Sequence, residues 1–299
     1  MGFPFLKLPK LSQLEVLQRS AIIDLITLSY SSQKLKNLVV LANVPVNQFV
    51  WFDFLEDDGM TIKTDRKQSI IKIESGEVKS VVLNSRTLLR SRESVQAIEE
   101  QLAQHLLTTF RTMDYIQVEL GQDDILNNVL FKNRETIKTL VVRRPRPLTG
   151  EEVKFLLEEL TVVRWTFIQT PVVDGFQYSE GLRSLCVSVD GPEWLHMDAV
   201  LNSSCNIITL HGHQQLFPTD QLNNFLKLWI SKEKMEELQT LAIELQRRIV
   251  VTDGFWTEIL EGVGHERVAP GHVKIRRIDG KTADLTIHGD LFKFIISSE

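Results

Sequence analysis

Leu8-Pro9-Lys10-Leu11, then Leu14-Glu15-Val16-Leu17, Asp24-Leu25-Ile26-Thr27-Leu28-Ser29, Lys34-Leu35 and Leu38-Val39, decide how this chain opens. Their apolar residues recur at helical spacing, which predicts three short helices. Pro9 suits a helix start, where a missing N–H costs nothing. Leu11, Leu14 and Leu17 follow in steps of three, with Val16 beside them. A segment of about 40 residues rarely builds a sufficient core alone. Its apolar surplus must therefore dock, on the rest of the chain or on another protein.

The ordered signature runs Leu-Pro-x-Leu-x-x-Leu-Glu-Val-Leu, then Asp-Leu-x-x-Leu-Ser, then Ser-x-Lys. It resembles an F-box of the nematode type over residues 3–43. F-boxes bind the Skp-type adaptor of Skp–cullin–F-box ubiquitin ligases. The resemblance therefore implies adaptor docking through Leu8, Pro9, Leu11, Leu14, Val16, Leu17, Leu25 and Leu28, with cullin recruited through the adaptor. Apolar side chains of a helix entering a groove are the physical mode. Some of these residues must instead face the internal core. One departure stands out: Ala21-Ile22 occupy the place where many nematode F-boxes carry Asp-Pro. Losing such a cap costs about 1 kcal/mol. Ser20 is the substitute cap if the helix starts one residue earlier.

A length of 299 residues suggests about two domains. The composition, 43% apolar and 24% charged, is that of a globular protein with a sizeable core. A net charge of −5 argues against a general nucleic-acid binder. No apolar run approaches the roughly 20 residues that span a bilayer, and no signal peptide is evident. A cytosolic and/or nuclear location is expected. The two cysteines, Cys186 and Cys205, sit in apolar, strand-like contexts and read as buried, reduced thiols.

Residues 45–112 read as a linking β meander and a helix. Phe49 to Phe54, Thr61 to Thr64, Ile70 to Ile73 and Val78 to Leu83 are strand-like, with turn signals at Asp57-Asp58-Gly59 and Ser75-Gly76-Glu77. Val95, Ile98, Leu102, Leu106 and Phe110 form the stripe of an amphipathic helix. From residue 113 a pattern, apolar-x-x-apolar-x-apolar, recurs. It begins at Met113, Ile137, Val162, Leu182, Cys205 and Leu238. Most steps are roughly 20–25 residues, within the range of leucine-rich repeats. A weaker unit lies at Val273 to Arg276, and Leu291-Phe294-Ile296 ends the array. Helical stripes fill the intervals. One follows the capping-box signal Thr149-Gly150-Glu151-Glu152. A second carries Trp194, Met197 and Leu201. The clearest carries Leu222, Phe225, Leu226, Trp229 and Ile230 after Pro218-Thr219-Asp220. The expected fold is thus α/β: F-box helices at 1–44, a β meander and helix at 45–112, and a leucine-rich-repeat-like curved α/β solenoid at 113–299. The ladder asparagine of such repeats is missing; Gly121, Pro145, Thr170, Asp190, His213 and Gln246 stand there.

Within that region, residues 172–246 resemble the nematode F-box-associated domain. The carrying residues are Leu185 to Val189, Trp194, Ile207 to Leu210, and above all Asn223-x-Phe225-Leu226-x-x-Trp229-Ile230. The resemblance implies binding of a target protein.

Catalytic motifs are absent. His211-Gly212-His213 offers two imidazoles with no third ligand at a suitable spacing. Gly262-Val263-Gly264 lacks the third glycine of a dinucleotide fingerprint. Neither cysteine has the cationic setting that activates a thiol. No metal, cofactor or catalytic residue is assigned. Arg143-Arg144-Pro145-Arg146 is the strongest charge cluster, and its forked donors would suit an acidic target segment. Phe176, Tyr178 and the loop Asp190-Gly191-Pro192 are further target-binding candidates. The chain reads as a non-enzymatic substrate receptor for an unidentified target. The alternative is a binding module that sequesters a specific protein without ubiquitin transfer.

Overall fold

The computed structural model describes residues 5–43, 50–54, 61–63, 71–74, 79–83, 86–110, 116–120, 125–127, 131, 136–144, 146–212, 217–244, 253–288 and 291–297. The chain forms two compact units, Met1–Arg144 and Pro145–Glu299.

The first unit opens with α1 (Lys10–Gln18), α2 (Ile22–Ser31) and α3 (Gln33–Ala42). The Ser32 hydroxyl accepts from the Leu35 N–H at 3.2 Å and starts α3, which ends at a left-handed Asn43. Ala21 stands at the N-cap of α2 and offers no side-chain bond. Ser20 does not replace it: its hydroxyl donates backwards to the Val16 carbonyl at 2.8 Å. The row Leu11-Leu14-Leu17 explains the fate of the apolar surplus. Each step of three falls about 60° short of a full turn, so the row winds around α1. Leu11 is 81% exposed and Leu17 fully buried, with Leu14 between them.

Strands β1 (Val50–Phe54), β2 (Thr61–Lys63), β3 (Ile71–Glu74), β4 (Lys79–Leu83) and β5 (Arg86–Ser91) form an antiparallel meander. Helix α4 (Val95–Thr109) follows, capped by the Ser94 hydroxyl, which accepts from the Ala97 N–H at 3.1 Å. It buries Ile98, Leu102 and Leu106. Strand β6 (Ile116–Leu120) then pairs parallel with both β1 and β7 (Thr136–Val142). The helices α1 to α3 do not stand apart from this body. Helix α3 packs on α4 and α2 packs on β5. Between α2 and α4, Ser29 Oγ lies 2.8 Å from His105 Nε2, and the Tyr30 ring stacks on the imidazole at 3.9 Å. Ser29 spends its hydroxyl hydrogen on the Ile26 carbonyl, so the imidazole donates to it.

The second unit opens with α5 (Gly150–Lys154), which continues as a π turn through Glu159. Its expected capping box is present: Thr149 Oγ1 accepts from the Glu152 N–H, and Glu152 Oε2 accepts from the Thr149 N–H at 2.8 Å. Next come β8 (Thr161–Ile168), β9 (Cys186–Asp190), α6 (Met197–Leu201), β10 (Ile207–His211), α7 (Thr219–Ile230) and β11 (Thr240–Glu244). Strands β8 to β11 pair parallel in chain order. After α8 (Asp253–Ile259), strands β12 (His265–Ala269), β13 (His272–Arg276), β14 (Thr282–His288) and β15 (Leu291–Ser297) form an antiparallel meander. It joins the parallel ladder through β15, antiparallel to β11.

Helix α7 gives the Asn-x-Phe-Leu-x-x-Trp motif its physical meaning. Phe225, Leu226 and Trp229 are fully buried. The rings of Phe225 and Trp229 meet Phe294 of β15 edge-on, at 5.3 and 5.0 Å. The Asn223 amide donates to the carbonyls of Ile259 and Glu261, both at 2.9 Å, which satisfies groups orphaned at the end of α8. Arg277 lies 5.3 Å over the Trp229 ring and is gripped twice by Asp279, at 2.9 and 2.8 Å. The turn between β13 and β14 is thereby pinned to α7. These hydrogen bonds from Arg277 hold the Asp279 carboxyl down at about 2.

The leucine-rich-repeat-like solenoid is not what forms. The six repeated segments become β6 to β11, each with parallel neighbours inside its own unit. The array is not continued, however. The proposed seventh unit is β13 and the proposed terminus is β15, both antiparallel. The result is a mixed sheet with an antiparallel C-terminal meander, and the β1 to β5 meander is likewise antiparallel. The physical reason is that a parallel pair requires a crossover of a dozen or more residues. Strand plus crossover gives the same period as a leucine-rich repeat, so the period alone does not separate the two. Of the ladder positions, Gly121, Pro145, His213 and Gln246 lie outside the described residues, as do the turns at Asp57-Asp58-Gly59 and Ser75-Gly76-Glu77.

His105 gives the first unit an acid-sensitive joint. Burial, with Lys36 adding to it, lowers its pKa to about 4. The folded state thus prefers neutral imidazole. Its contribution is complete above the ordinary histidine value of about 6.5 and is lost as pH falls from there towards 4. The slope is at most about 1.4 kcal/mol per pH unit. His105→Gln should flatten the fall in thermal stability between pH 6.5 and 5 relative to wild type. Parallel pH profiles for the two proteins would contradict this assignment.

Candidate functional site

Adjacent parallel strands send their following loops to the same edge of a sheet, where open α/β sheets form their binding crevices. The loops after β8 and β9 meet at such an edge in the second unit. They enclose a cleft of about 540 Å³, lined from residues 169–177 and 190–194. Both lips turn on glycine: Gly175 has φ of 80° and Gly191 of 64°, backbone values that side chains with a Cβ resist. Phe176 N–H donates to the Val173 carbonyl across the first turn, and Gly191 N–H donates to the His211 carbonyl at 2.8 Å. The Gln177 amide ties the lips together by donating to the Glu193 carbonyl at 3.3 Å.

The lining is acidic and aromatic. Asp174, Asp190 and Glu193 belong to the lining, and among the described residues no lysine or arginine does. Phe176 is half-buried and its ring lies 6.4 Å from that of Trp194. Trp194 walls the cleft at 5% exposure, and its indole N–H meets no acceptor among the described residues.

The target-binding candidates separate on this geometry. Phe176 lines the cleft with the Asp190-Gly191 loop. Tyr178 lies behind it, 1% exposed, edge-on to Trp194 at 6.2 Å. Its backbone bridges to Leu195, and burial pushes its phenol up to about 12, with Glu158 adding to the shift. Tyr178 is therefore a support of the cleft and not a contact surface. The arginines differ in their settings. Arg144 is buried, and Arg146 is held by Glu152 at 3.0 Å. Pro145 lies outside the described residues. The sequence reading missed Asp174 and Glu193. The signal was the pair Asp174-Gly175 and Asp190-Gly191, two turns that follow successive parallel strands.

The adaptor-binding candidates also divide. Leu17 and Leu25 are fully buried inside the first unit. Leu8, Leu14 and Leu28 are half-buried. Pro9, Leu11 and Val16 are exposed, the last two at 81% and 44%. Leu6 and Leu41 are exposed apolar residues of the same helical region. The face that sequence could not apportion is thus split between core and solvent.

The histidines and cysteines occupy structural settings. His272 pairs with Asp284 at 2.7 Å, His265 Nδ1 lies 2.8 Å from the Val263 carbonyl, and His196 caps α6 beside Asp198. His213 lies outside the described residues. Among the described residues, no three histidine, cysteine or acidic groups gather as a metal site. Burial pushes the Cys205 thiol up to about 12 and raises that of Cys186, away from the reactive thiolate. No described helix is long and apolar enough to cross a membrane.

A family model described as F-box associated matches residues 178–243, from Tyr178 through α7 to Ile243 of β11. The second unit therefore carries an F-box-associated domain, and one wall of the cleft lies inside it. No curated protein and no solved structure matches the chain.

Arg146 is half in water while Glu152 is 3% exposed, so the pair serves α5 more than the surface. Arg146→Ala should cost under about 1 kcal/mol. Glu152→Ala should cost about 1–2 kcal/mol, because the buried half of the capping box, the bond from the Thr149 N–H, goes with it. Urea denaturation of the two variants checks the order; equal losses would contradict it.

Proposed function

We propose that this chain is the target-recognition subunit of a Skp–cullin–F-box ubiquitin ligase. The observation that carries the reading is the F-box-associated match over residues 178–243. The three N-terminal helices add to it, because their order of residues resembles an F-box and their apolar residues are divided between core and surface. In this reading Leu17 and Leu25 hold α1 and α2 to the first unit. Pro9, Leu11 and Val16, with the half-buried Leu8, Leu14 and Leu28, face a Skp-type adaptor and through it cullin. The target docks on the second unit. The chain performs no bond-making step itself; it raises the effective concentration of the target near the conjugating machinery. The setting is the cytosol and/or nucleus.

A second reading is sequestration, in which the target is captured with no ubiquitin transfer. The uncapped start of α2 at Ala21 favours it, since a frayed helix docks less well.

The test is adaptor co-purification. Leu11→Glu combined with Val16→Glu should abolish recovery of the adaptor while the thermal transition stays within a few degrees of wild type. Leu17→Ala should instead unfold the first unit, at a cost of about 2–5 kcal/mol. Undiminished adaptor recovery by the Leu11/Val16 variant would overturn the ligase reading. Failure of wild type to bind any adaptor would leave sequestration.

A further inference from the structure

Pro9 opens α1 without a side-chain cap, and the segment before it holds a single 3-10 turn, Phe5–Lys7. The Leu8 N–H closes that turn on the Phe5 carbonyl at 3.1 Å. One turn does not hold a segment in place unless something else ties it down. The tie comes from inside α1. Gln13 is 7% exposed, and its side-chain amide donates to the Leu8 carbonyl at 2.8 Å and to the Leu6 carbonyl at 3.2 Å. Both amide hydrogens are thus spent on one segment. The Gln13 backbone N–H donates separately to the Pro9 carbonyl at 3.0 Å, as the helix requires. Gln18, the last residue of α1, uses its amide differently. It donates to the Ala42 carbonyl at 3.3 Å and so joins α1 to α3.

The segment that Gln13 grips carries apolar surface. Leu6 is 44% exposed, Leu8 is half-buried and Pro9 is exposed. We propose that Gln13 is a positioning residue for adaptor docking, and that Leu6 belongs to the docked surface with Leu8 and Pro9. The inference rests on the ligase reading and specifies how its docking surface is held. Two arguments carry it. Burying an amide costs free energy unless its hydrogen bonds are made, and here the bonds made fix a surface segment and not a second helix. The two carbonyls gripped belong to the same two residues whose side chains dock. An apolar segment ordered before contact gives up less conformational freedom on binding. Gln13 therefore acts through Leu6 and Leu8, and its effect depends on their side chains being present.

The experiment is a double-mutant cycle on the full chain, read as affinity for a purified Skp-type adaptor. Gln13→Met keeps a similar volume and removes the donors. It should weaken binding at least about fivefold. The melting temperature should stay within a few degrees of wild type, and amide exchange at residues 6–8 of the free chain should rise about tenfold. Leu6→Ala combined with Leu8→Ala should weaken binding as well. Adding Gln13→Met to that pair should change affinity by less than about twofold, because the side chains it positions are gone. If Gln13→Met does not fold, Gln13→Asn takes its place with the same expectations, since the shorter amide cannot reach both carbonyls. Wild-type affinity in the Gln13 variant overturns the inference. So does an equal loss in both backgrounds, which is what a purely structural residue would give. In both cases wild type binds the adaptor and the ligase reading stands. Wild type that binds no adaptor overturns the ligase reading and this inference with it.

Discussion

Parallel pairing is the constraint from which the second unit follows. Strands β8 to β11 run the same way, so every link between them must cross over the sheet. Helix α7 makes one of those crossings and is the most committed element of the unit. It buries Phe225, Leu226 and Trp229, meets β15 through Phe294, ends α8 through Asn223 and holds the β13–β14 turn through Arg277. The parallel ladder also sends the ends of β8 and β9 to one edge. The cleft is a consequence of that arrangement: the loops that follow the two strands meet there and bring Asp174, Asp190 and Glu193 into one lining.

The first unit solves a different problem. Three helices of nine or ten residues are too short to be stable alone, and their partners are α4 and β5. Docking consumes Leu17, Leu25 and Ile26 and leaves Leu11 and Val16 in water. The same short segment thus supplies both an anchor and a surface. The stacked Tyr30 and His105 rings and the Ser29–His105 hydrogen bond join α2 to α4, in a buried setting that favours the neutral imidazole.

Much of this was legible in the chain. The boundaries of α4 and α7 follow from their apolar stripes, and the capping box at Thr149 and Glu152 appears where its spacing places it. The strand positions of the repeated pattern were legible too, because strands such as β9 and β10 bury alternate residues, Val187 and Val189 in one and Ile208 and Leu210 in the other. Their assembly was not. A spacing of roughly 20–25 residues fits both a solenoid and a sheet with crossovers, and only β15, returning antiparallel beside β11, tells them apart. The division of the adaptor face was illegible for a geometric reason: steps of three wind around a helix, so Leu11 and Leu17 point apart although they share a row. The acidic cleft escaped because Asp174 and Glu193 lie on different loops, and pairing of β8 with β9 is what makes them neighbours.

The central claim is that adaptor and target use separate surfaces on separate units. Hydrogen exchange of the full chain, alone and with a purified Skp-type adaptor, tests it most directly. The account predicts added protection in α1 and the adjoining N-terminal helices, with the exchange of residues 169–177 and 190–194 unchanged. No protection anywhere, or protection confined to the cleft loops, would contradict it.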